Sequence, residues 1–362
     1  MARPIKATIH MSSLRRNAEK MKAIAGQRLL WAVVKADAYG HGLARAVKAF
    51  RAADGLAVID LFDIERARHF GWDKRILLMQ GFFKPEDLQI IQAYDAECVI
   101  HNQEGIKILQ SLAPFRDLRV HIKLNSGMNR FGFKPQEEVA VRQTLQAIEG
   151  VSVMGVMTHF ANACPHYELE HGVSVADQIK ALGPIAERTQ GACFANSAAA
   201  LWLPQVKGDA VRIGISLYGV TPDPMVASRD IDIEPAMTLS SEVIAIQEVT
   251  PGQSVGYGSA FTATRPSRIA VIACGFADGY LRLTPAGSPV WINGVLAPIV
   301  GRIAMDVMTV DVTQVPEVMV GTPVELWGKH LRVDEVATAA GTIAAELLCS
   351  VTARVPKFED EL

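Results

Sequence analysis

From residue 28 to 217 the chain repeats one cadence: a short apolar, β-rich run, a polar or glycine-punctuated gap, then a helical pattern. The runs are L-L-W-A-V-V (29–34), G-L-A-V-I-D (55–60), R-I-L-L-M-Q (75–80), E-C-V-I (97–100), R-V-H-I-K-L (119–124), V-S-V-M-G-V-M (151–157), A-C-F-A-N (192–196) and A-V-R-I-G-I (210–215). Strands that are apolar throughout, not on alternate residues, are covered on both faces, and the amphipathic stretches Gly42–Ala52, Gln136–Ile148 and Val173–Gln190 supply covering helices. Eight strand–helix units close naturally into a (β/α)8 barrel, an α/β fold whose chemistry sits at the strand carboxyl ends. A doubly wound open sheet satisfies the same pattern. Lys35, Arg130, His159, Ser197 and Arg212 all follow such runs, so cadence and chemistry-bearing residues agree.

After about residue 230 the texture changes. M-T-L-S-S-E-V-I-A-I-Q-E-V, R-I-A-V-I-A-C, S-P-V-W-I-N-G-V-L-A-P-I-V, M-T-V-D-V and T-P-V-E-L-W follow closely, separated by glycine or proline turns and interrupted by one helical stretch, Val333–Ala340. These strands predict a mainly β domain in which Asn293-Gly294 makes a hairpin turn. The chain therefore reads as a barrel over 1–230, its first residues expected to pair with the second domain, and a mainly β domain over 231–362. The boundary falls in the Pro/Asp/Arg-rich segment Thr221–Pro235.

A length of 362 residues lets each of two domains bury its own core. The formal net charge of -2, with no Lys/Arg cluster, argues against a nucleic-acid partner. The amino terminus has no signal-peptide core, and polar residues interrupt every apolar stretch before it could cross a bilayer, so a soluble cytoplasmic protein is expected. Cys98, Cys164, Cys193, Cys274 and Cys349 are scattered, without a C-x-x-C pair, which argues against a disulfide framework and a metal site.

The first run ends in W-A-V-V-K-A-D-A-Y-G-H-G (Trp31–Gly42). A lysine where a buried strand stops is costly to desolvate, which lowers its pKa and prepares the Lys35 amine for covalent catalysis. A lysine snorkelling from the strand end to solvent fits this stretch equally well.

The segment V-K-A-D-A-Y-G-H-G (Val34–Gly42) resembles the pyridoxal-phosphate lysine signature of alanine racemases. It is followed, in that family's order, by K-L-N-S-G-M-N-R-F-G-F (123–133), T-H-F (158–160), N-S-A-A (196–199), V-R-I-G-I (211–215), V-G-Y-G (255–258), G-F-A-D-G-Y (275–280) and G-R-I-A-M-D (301–306). Eight ordered motifs make the resemblance specific, and it is nearest to the bacterial catabolic type. It implies a barrel with an attached β domain, pyridoxal 5'-phosphate as cofactor, alanine as substrate, and a head-to-tail homodimer with active sites shared between subunits.

It also implies roles. Lys35 holds the cofactor and acts as the base for the D-alanine α-proton; Tyr257, entering the partner's site, is the base for L-alanine. His159 and Arg212 lie behind the cofactor ring, with Arg212 donating to its nitrogen. Tyr39, Ser197, Gly214 and Ile215 serve the phosphate. Arg130 meets the cofactor's phenolic oxygen and the substrate carboxylate, and the Met305 backbone amide reaches across from the other subunit. Lys123 corresponds to a lysine carbamylated in some members. Taken without the resemblance, Tyr257 reads as a packed turn aromatic, Met305 as core filler and N-S-A-A as a helix cap.

The chain departs from the family pattern at several places: Ala353 replaces a tyrosine before R-V-P, Ala304 a cysteine, Phe276 a tyrosine, Ile213 a proline, and Cys193 stands where some members carry histidine. The small Ala304 and Ala353 suggest a roomier pocket open to serine as a side substrate. Rival readings are an amino-acid decarboxylase or broader racemase on the same architecture, and a barrel-only cofactor-binding protein. Decarboxylases of this fold carry an acid where Arg212 stands, and a barrel-only protein lacks Tyr257.

Overall fold

Apolar runs become parallel strands where both of their faces find cover. The computed structural model describes residues 3–166, 172–226 and 228–360, which leaves Ala227 of the expected boundary segment outside. After a first strand, β1 (Lys6–His10), the runs form β2 (Leu29–Val33), β3 (Gly55–Val58), β4 (Arg75–Leu78), β5 (Glu97–Ile100), β6 (Leu118–Lys123), β7 (Val151–Met157), β8 (Cys193–Ala195) and β9 (Ala210–Ile213). Neighbours pair in parallel, and β9 returns to β2 with Leu29 opposite Ala210, which closes the barrel and excludes the open sheet. The expected helices are Leu43–Ala49, Glu138–Gln146 and Val175–Arg188, each a little shorter than its sequence pattern.

The chain divides into two compact units, Arg15–Ala38 with Gly42–Leu217, and Met1–Leu14 with Tyr39–His41 and Tyr218–Leu362. Inside the first, the Trp31 ring lies over Gly55, where a Cβ would come within 2.3 Å of the indole. Arg75 stacks on that indole at 4.8 Å and grips Glu97 with two hydrogen bonds, at 2.5 and 2.8 Å. His121 Nε2 meets the same carboxylate at 2.6 Å. Burial alone would raise the Glu97 carboxyl, but bonds from His121 and Arg75 outweigh it and hold it down to about 2.

The second unit is built on an eight-stranded sheet in the order β13-β16-β15-β14-β17-β10-β1-β18. Its further strands are β10 (Met237–Val249), the short pair β11 (Ser254–Val255) and β12 (Phe261–Thr262), β13 (Ser267–Ile272), β14 (Pro289–Ile292), β15 (Val295–Val300), β16 (Met308–Asp311), β17 (Pro323–Trp327) and β18 (Lys357–Asp360). Asn293 and Gly294, both at positive φ (46° and 86°), make the two-residue turn between β14 and β15. β1 pairs antiparallel with β10 and parallel with β18. The single expected helix is Val333–Ala339, but a second, Ala344–Ser350, follows it. Its Ala344, Leu347 and Leu348 are buried at helical spacing, yet seven residues are too few for that period to stand out in sequence. The boundary segment is also tied down: Arg332 bonds the carbonyls of Gly219 and Ile233 at 3.2 Å each, and Ser228 bonds Asp334 at 2.7 Å.

Replacing Glu97 by Gln should lower stability at neutral pH by about 3 kcal/mol in urea unfolding, the usual cost of breaking a buried pair. Because the folded carboxyl titrates near 2 and its ordinary value is 4.5, its contribution is complete above 4.5 and disappears as pH falls toward 2. The difference between wild type and variant should shrink across that window; a pH-independent difference would mean that Glu97 is not charged in the folded chain.

Candidate active site

β2 delivers Lys35 to the carboxyl end of the barrel, where A-D-A-Y does not continue as a right-handed helix. Ala36, Asp37 and Ala38 take φ and ψ near +50°, a left-handed turn. Lys35 is exposed in the single chain, the outcome that a lysine snorkelling from the strand end predicts.

Around it the barrel gathers positive charge. Lys123, Arg130 and His159 line one small pocket with Ser126, Met128 and Thr158, and no carboxylate lines it. Burial, followed by the charges of Arg212 and Arg130, pushes the Lys123 amine well below its ordinary value. Burial and the charges of Arg212, Lys123, Arg130 and Lys35 hold the His159 imidazole down to about 2, so it is neutral at physiological pH. Its Nδ1 lies 3.4 Å from Arg212 Nη2 and can only accept from that guanidinium.

Arg212 is 4% exposed. Its Nη1 donates to the Cys193 carbonyl at 2.6 Å and to Cys193 Sγ at 3.2 Å, and Nη2 donates to the Thr158 carbonyl at 2.5 Å. A buried arginine held by neutral carbonyls, with no acid partner among the described residues, keeps its full positive charge for whatever enters the barrel mouth. Cys193, noted as a departure, thus contributes an acceptor to Arg212.

At the carboxyl end of β8, N-S-A-A does two things. Asn196 is the N-cap of helix Ser197–Trp202, its side chain accepting from Ala199 N at 3.0 Å. Ser197 is left to accept from Gly214 N at 3.0 Å, and Ile215 opens a 3-10 turn. The capping reading and the clustering of Ser197 with Gly214 both hold.

Arg130 is presented by a loop that braces itself. Phe133 N bonds the Lys123 carbonyl and Asn125 N bonds the Phe133 carbonyl, at 2.9 and 2.7 Å, pinching the loop shut. Asn125 Oδ1 accepts from the amides of Gly127 and Asn129 inside it. A Cβ on Gly132, at φ 114°, would sit 2.7 Å from Asn125 N, so only glycine fits where the strands pinch. Arg130 itself is exposed.

The other unit carries Tyr39, Tyr257 and Met305. Tyr39 packs on Tyr218 with ring centroids 4.8 Å apart, and burial pushes its phenol upward. Tyr257 stands between Gly256 and Gly258 and is 65% exposed; Met305 is 55% exposed. The packed-turn and core-filler readings therefore fail for both side chains. Met305 lies on a fixed loop: its carbonyl accepts from Ala277 N at 3.0 Å, Arg3 grips Asp278 with bonds of 2.6 and 2.9 Å, and Arg3 and Arg354 both hold Asp306. Among the departures, Ala353 is exposed and Ala304 is partly buried.

Sequence reasoning missed a second polar layer beneath the site. Gln178, fully buried, donates to Ser126 Oγ at 2.8 Å and accepts from Ala161 N; Ser126 Oγ lies 2.8 Å from Thr158 Oγ1. The only signal was a glutamine on the apolar face of a helix pattern. For the Arg75–Glu97–His121 set it was charge inside otherwise apolar strands.

The sequence matches the family models "Alanine racemase, N-terminal domain" over residues 9–222 and "Alanine racemase, C-terminal domain" over 236–359. It is 44% identical to an alanine racemase of Burkholderia mallei over 98% of this chain and 99% of that one. The fold superposes on a biosynthetic alanine racemase from Pseudomonas aeruginosa with a TM-score of 0.94 at 40% identity, covering 99% of both chains. The alanine racemase of Acinetobacter baumannii gives 0.91 at 36% identity, covering 99% of this chain and all of that one. With matching family models over both units and relatives at this identity along nearly its whole length, the chain belongs to the alanine racemase family, and the enzyme is an isomerase.

Proposed function

We propose that the chain interconverts L-alanine and D-alanine with pyridoxal 5'-phosphate, as a cytoplasmic homodimer in which each subunit completes the other's active site. The observation that carries this reading is an exposed lysine amine at a barrel strand end beside a cluster of Lys123, Arg130, His159 and Arg212 whose pocket has no carboxylate. Such a set suits an anionic cofactor and an anionic substrate together.

The residues present fit the cofactor. Lys35 would hold its aldehyde carbon, Arg212 its ring nitrogen, Arg130 its phenolic oxygen, and Tyr39, Ser197, Gly214 and Ile215 its phosphate. Pyridoxal phosphate, when bound, supplies an electron sink for the carbanion left by a departing α-proton. The protein's task is to bind, orient and move protons. Arg130 holds the substrate carboxylate through charge-assisted hydrogen bonds, and Met305 of the partner subunit adds a backbone amide. Lys35 exchanges the α-proton of D-alanine on one face; Tyr257 of the partner subunit exchanges that of L-alanine on the other. A proton taken on one face and returned on the opposite face inverts the centre with no net change in protons. Arg212 cannot give up its proton, so it leaves the ring nitrogen unprotonated and the sink weak. A weak sink favours rapid return of the proton to the α-carbon over transamination.

Enantiomers have equal free energy, so none of these residues sets a direction. Supply of D-alanine for peptidoglycan and removal of D-alanine in catabolism are both served, as concentrations dictate. The smaller Ala304 and Ala353 leave room for serine, since one methylene or hydroxyl discriminates by only about 1–3 kcal/mol.

Lys123 completes the charge account. Burial and the neighbouring arginines push its pKa down, which enlarges the unprotonated fraction of the amine. Addition of carbon dioxide to the neutral amine forms a carbamate and releases one proton, which would place an anion within the field of Arg212 and Arg130.

Lys35→Ala should abolish racemisation, followed as the decay of optical rotation of L- or D-alanine, together with the visible absorbance of the loaded protein; an active variant would sink the reading. Tyr257→Phe should remove solvent-deuterium exchange from L-alanine far more than from D-alanine, and equal loss from both would contradict the division of labour. A carbon-13 carbamate resonance should develop on Lys123 in labelled bicarbonate and be missing from Lys123→Ala; its absence from wild type rules the modification out.

A further inference from the structure

Lys35 is followed by four consecutive non-glycine residues in the left-handed region, Ala36 (φ 54°), Asp37 (49°), Ala38 (56°) and Tyr39 (51°). The turn is closed by Ala38 N on the Val34 carbonyl at 2.9 Å and Gly42 N on the Asp37 carbonyl at 2.8 Å. Each L-residue held there costs roughly 1–2 kcal/mol, because its Cβ crowds the following carbonyl oxygen. Such a run persists only where its surroundings over-determine it. Alanine offers no side-chain bond that could help.

Asp37 does. One oxygen, Oδ1, accepts from Leu43 N at 3.0 Å and from Arg66 Nη2 at 2.9 Å. Leu43 is the first residue of the helix that follows β2, and Arg66 lies on helix Leu61–His69, which follows β3. The other arm of Arg66, Nη1, is anchored at 3.0 Å to Asp63, which is 5% exposed. A single carboxylate oxygen thus ties the strained turn to both neighbouring helices of the barrel. Lys35 has β2 on its amino side and this turn on its carboxyl side.

We propose that Asp37, held by Arg66, is the positioning residue for Lys35: it keeps the left-handed turn from relaxing to an ordinary backbone conformation that would re-aim the lysine amine. The proposal rests on Lys35 being the cofactor-holding amine.

The test compares wild type with Asp37→Ala, Asp37→Asn and Arg66→Met. Asparagine tolerates the left-handed region and keeps an acceptor for Leu43 N, but it gives up the charge that Arg66 pairs with. Apo protein is titrated with pyridoxal phosphate by visible absorbance, the pH midpoint of that band is recorded, and kcat and KM for alanine are measured. Asp37→Ala should weaken cofactor binding, shift the midpoint and lower kcat by about 100-fold, the scale of a misplaced catalytic group, while KM changes little. Asp37→Asn should recover most of each loss, and Arg66→Met should fall between. Wild-type binding, midpoint and kcat in Asp37→Ala, or a loss of thermal stability alone, overturns the proposal. If that variant does not fold, wild-type values in both Asp37→Asn and Arg66→Met overturn it. If wild type develops no band on cofactor addition, the Lys35 reading fails and the proposal fails with it.

Discussion

Closing parallel strands into a ring puts every carboxyl end on one rim, and the site inherits its geometry from that constraint. β2, β6, β7, β8 and β9 are far apart in sequence, yet the ring brings Lys35, Lys123, His159, Ser197 and Arg212 to the same end. Closure also creates an interior that must be filled. Here it is filled by Trp31 over Gly55 and by the Arg75–Glu97–His121 set, in which a buried carboxylate is neutralised within the barrel. The acid therefore sits among its own partners, away from the guanidinium of Arg212, which among the described residues has no acid partner.

That rim explains the protonation states above it. Burial first, and then the crowding of positive groups, drives toward neutrality those that can lose a proton, which is why His159 and Lys123 are depressed. Arg212 cannot follow them and stays charged, steadied by the carbonyls of Thr158 and Cys193. An arginine held only by neutral acceptors can serve a ligand without first breaking an ion pair.

Much of this was legible in the sequence, for physical reasons that can be named. The barrel strands were visible because strands buried on both faces are apolar without alternation, and β14–β15 because Asn-Gly fits a turn with two positive φ values. The short helix Ala344–Ser350 and the two-residue strands β11 and β12 lacked the length for a period to show. The left-handed turn after Lys35 was invisible because A-D-A-Y carries none of the glycines that normally announce positive φ. The exposure of the Met305 side chain is not visible in sequence because local pattern cannot say which face of a loop is covered. Motif resemblance supplied the candidate site residues; it gave no hint of the two hydrogen bonds that Asp37 Oδ1 accepts or of the layer formed by Gln178, Ser126 and Thr158.

β1 lies between β10 and β18, with Ala7 opposite both Leu239 and Lys357. β1 therefore has to wait for partners that lie far along the chain, β10 (Met237–Val249) and β18 (Lys357–Asp360). Pairing across such sequence distances is slow, because loop entropy is lost before any contact rewards it. The barrel strands from Leu29 to Ile213 suffer no such delay, since each pairs with a neighbour in the chain until the last closes the ring. Until β10 and β18 are made, Lys6–His10 carries unpaired backbone donors and acceptors on both sides, and keeping that strand from pairing elsewhere is a demand that the sheet's topology places on folding.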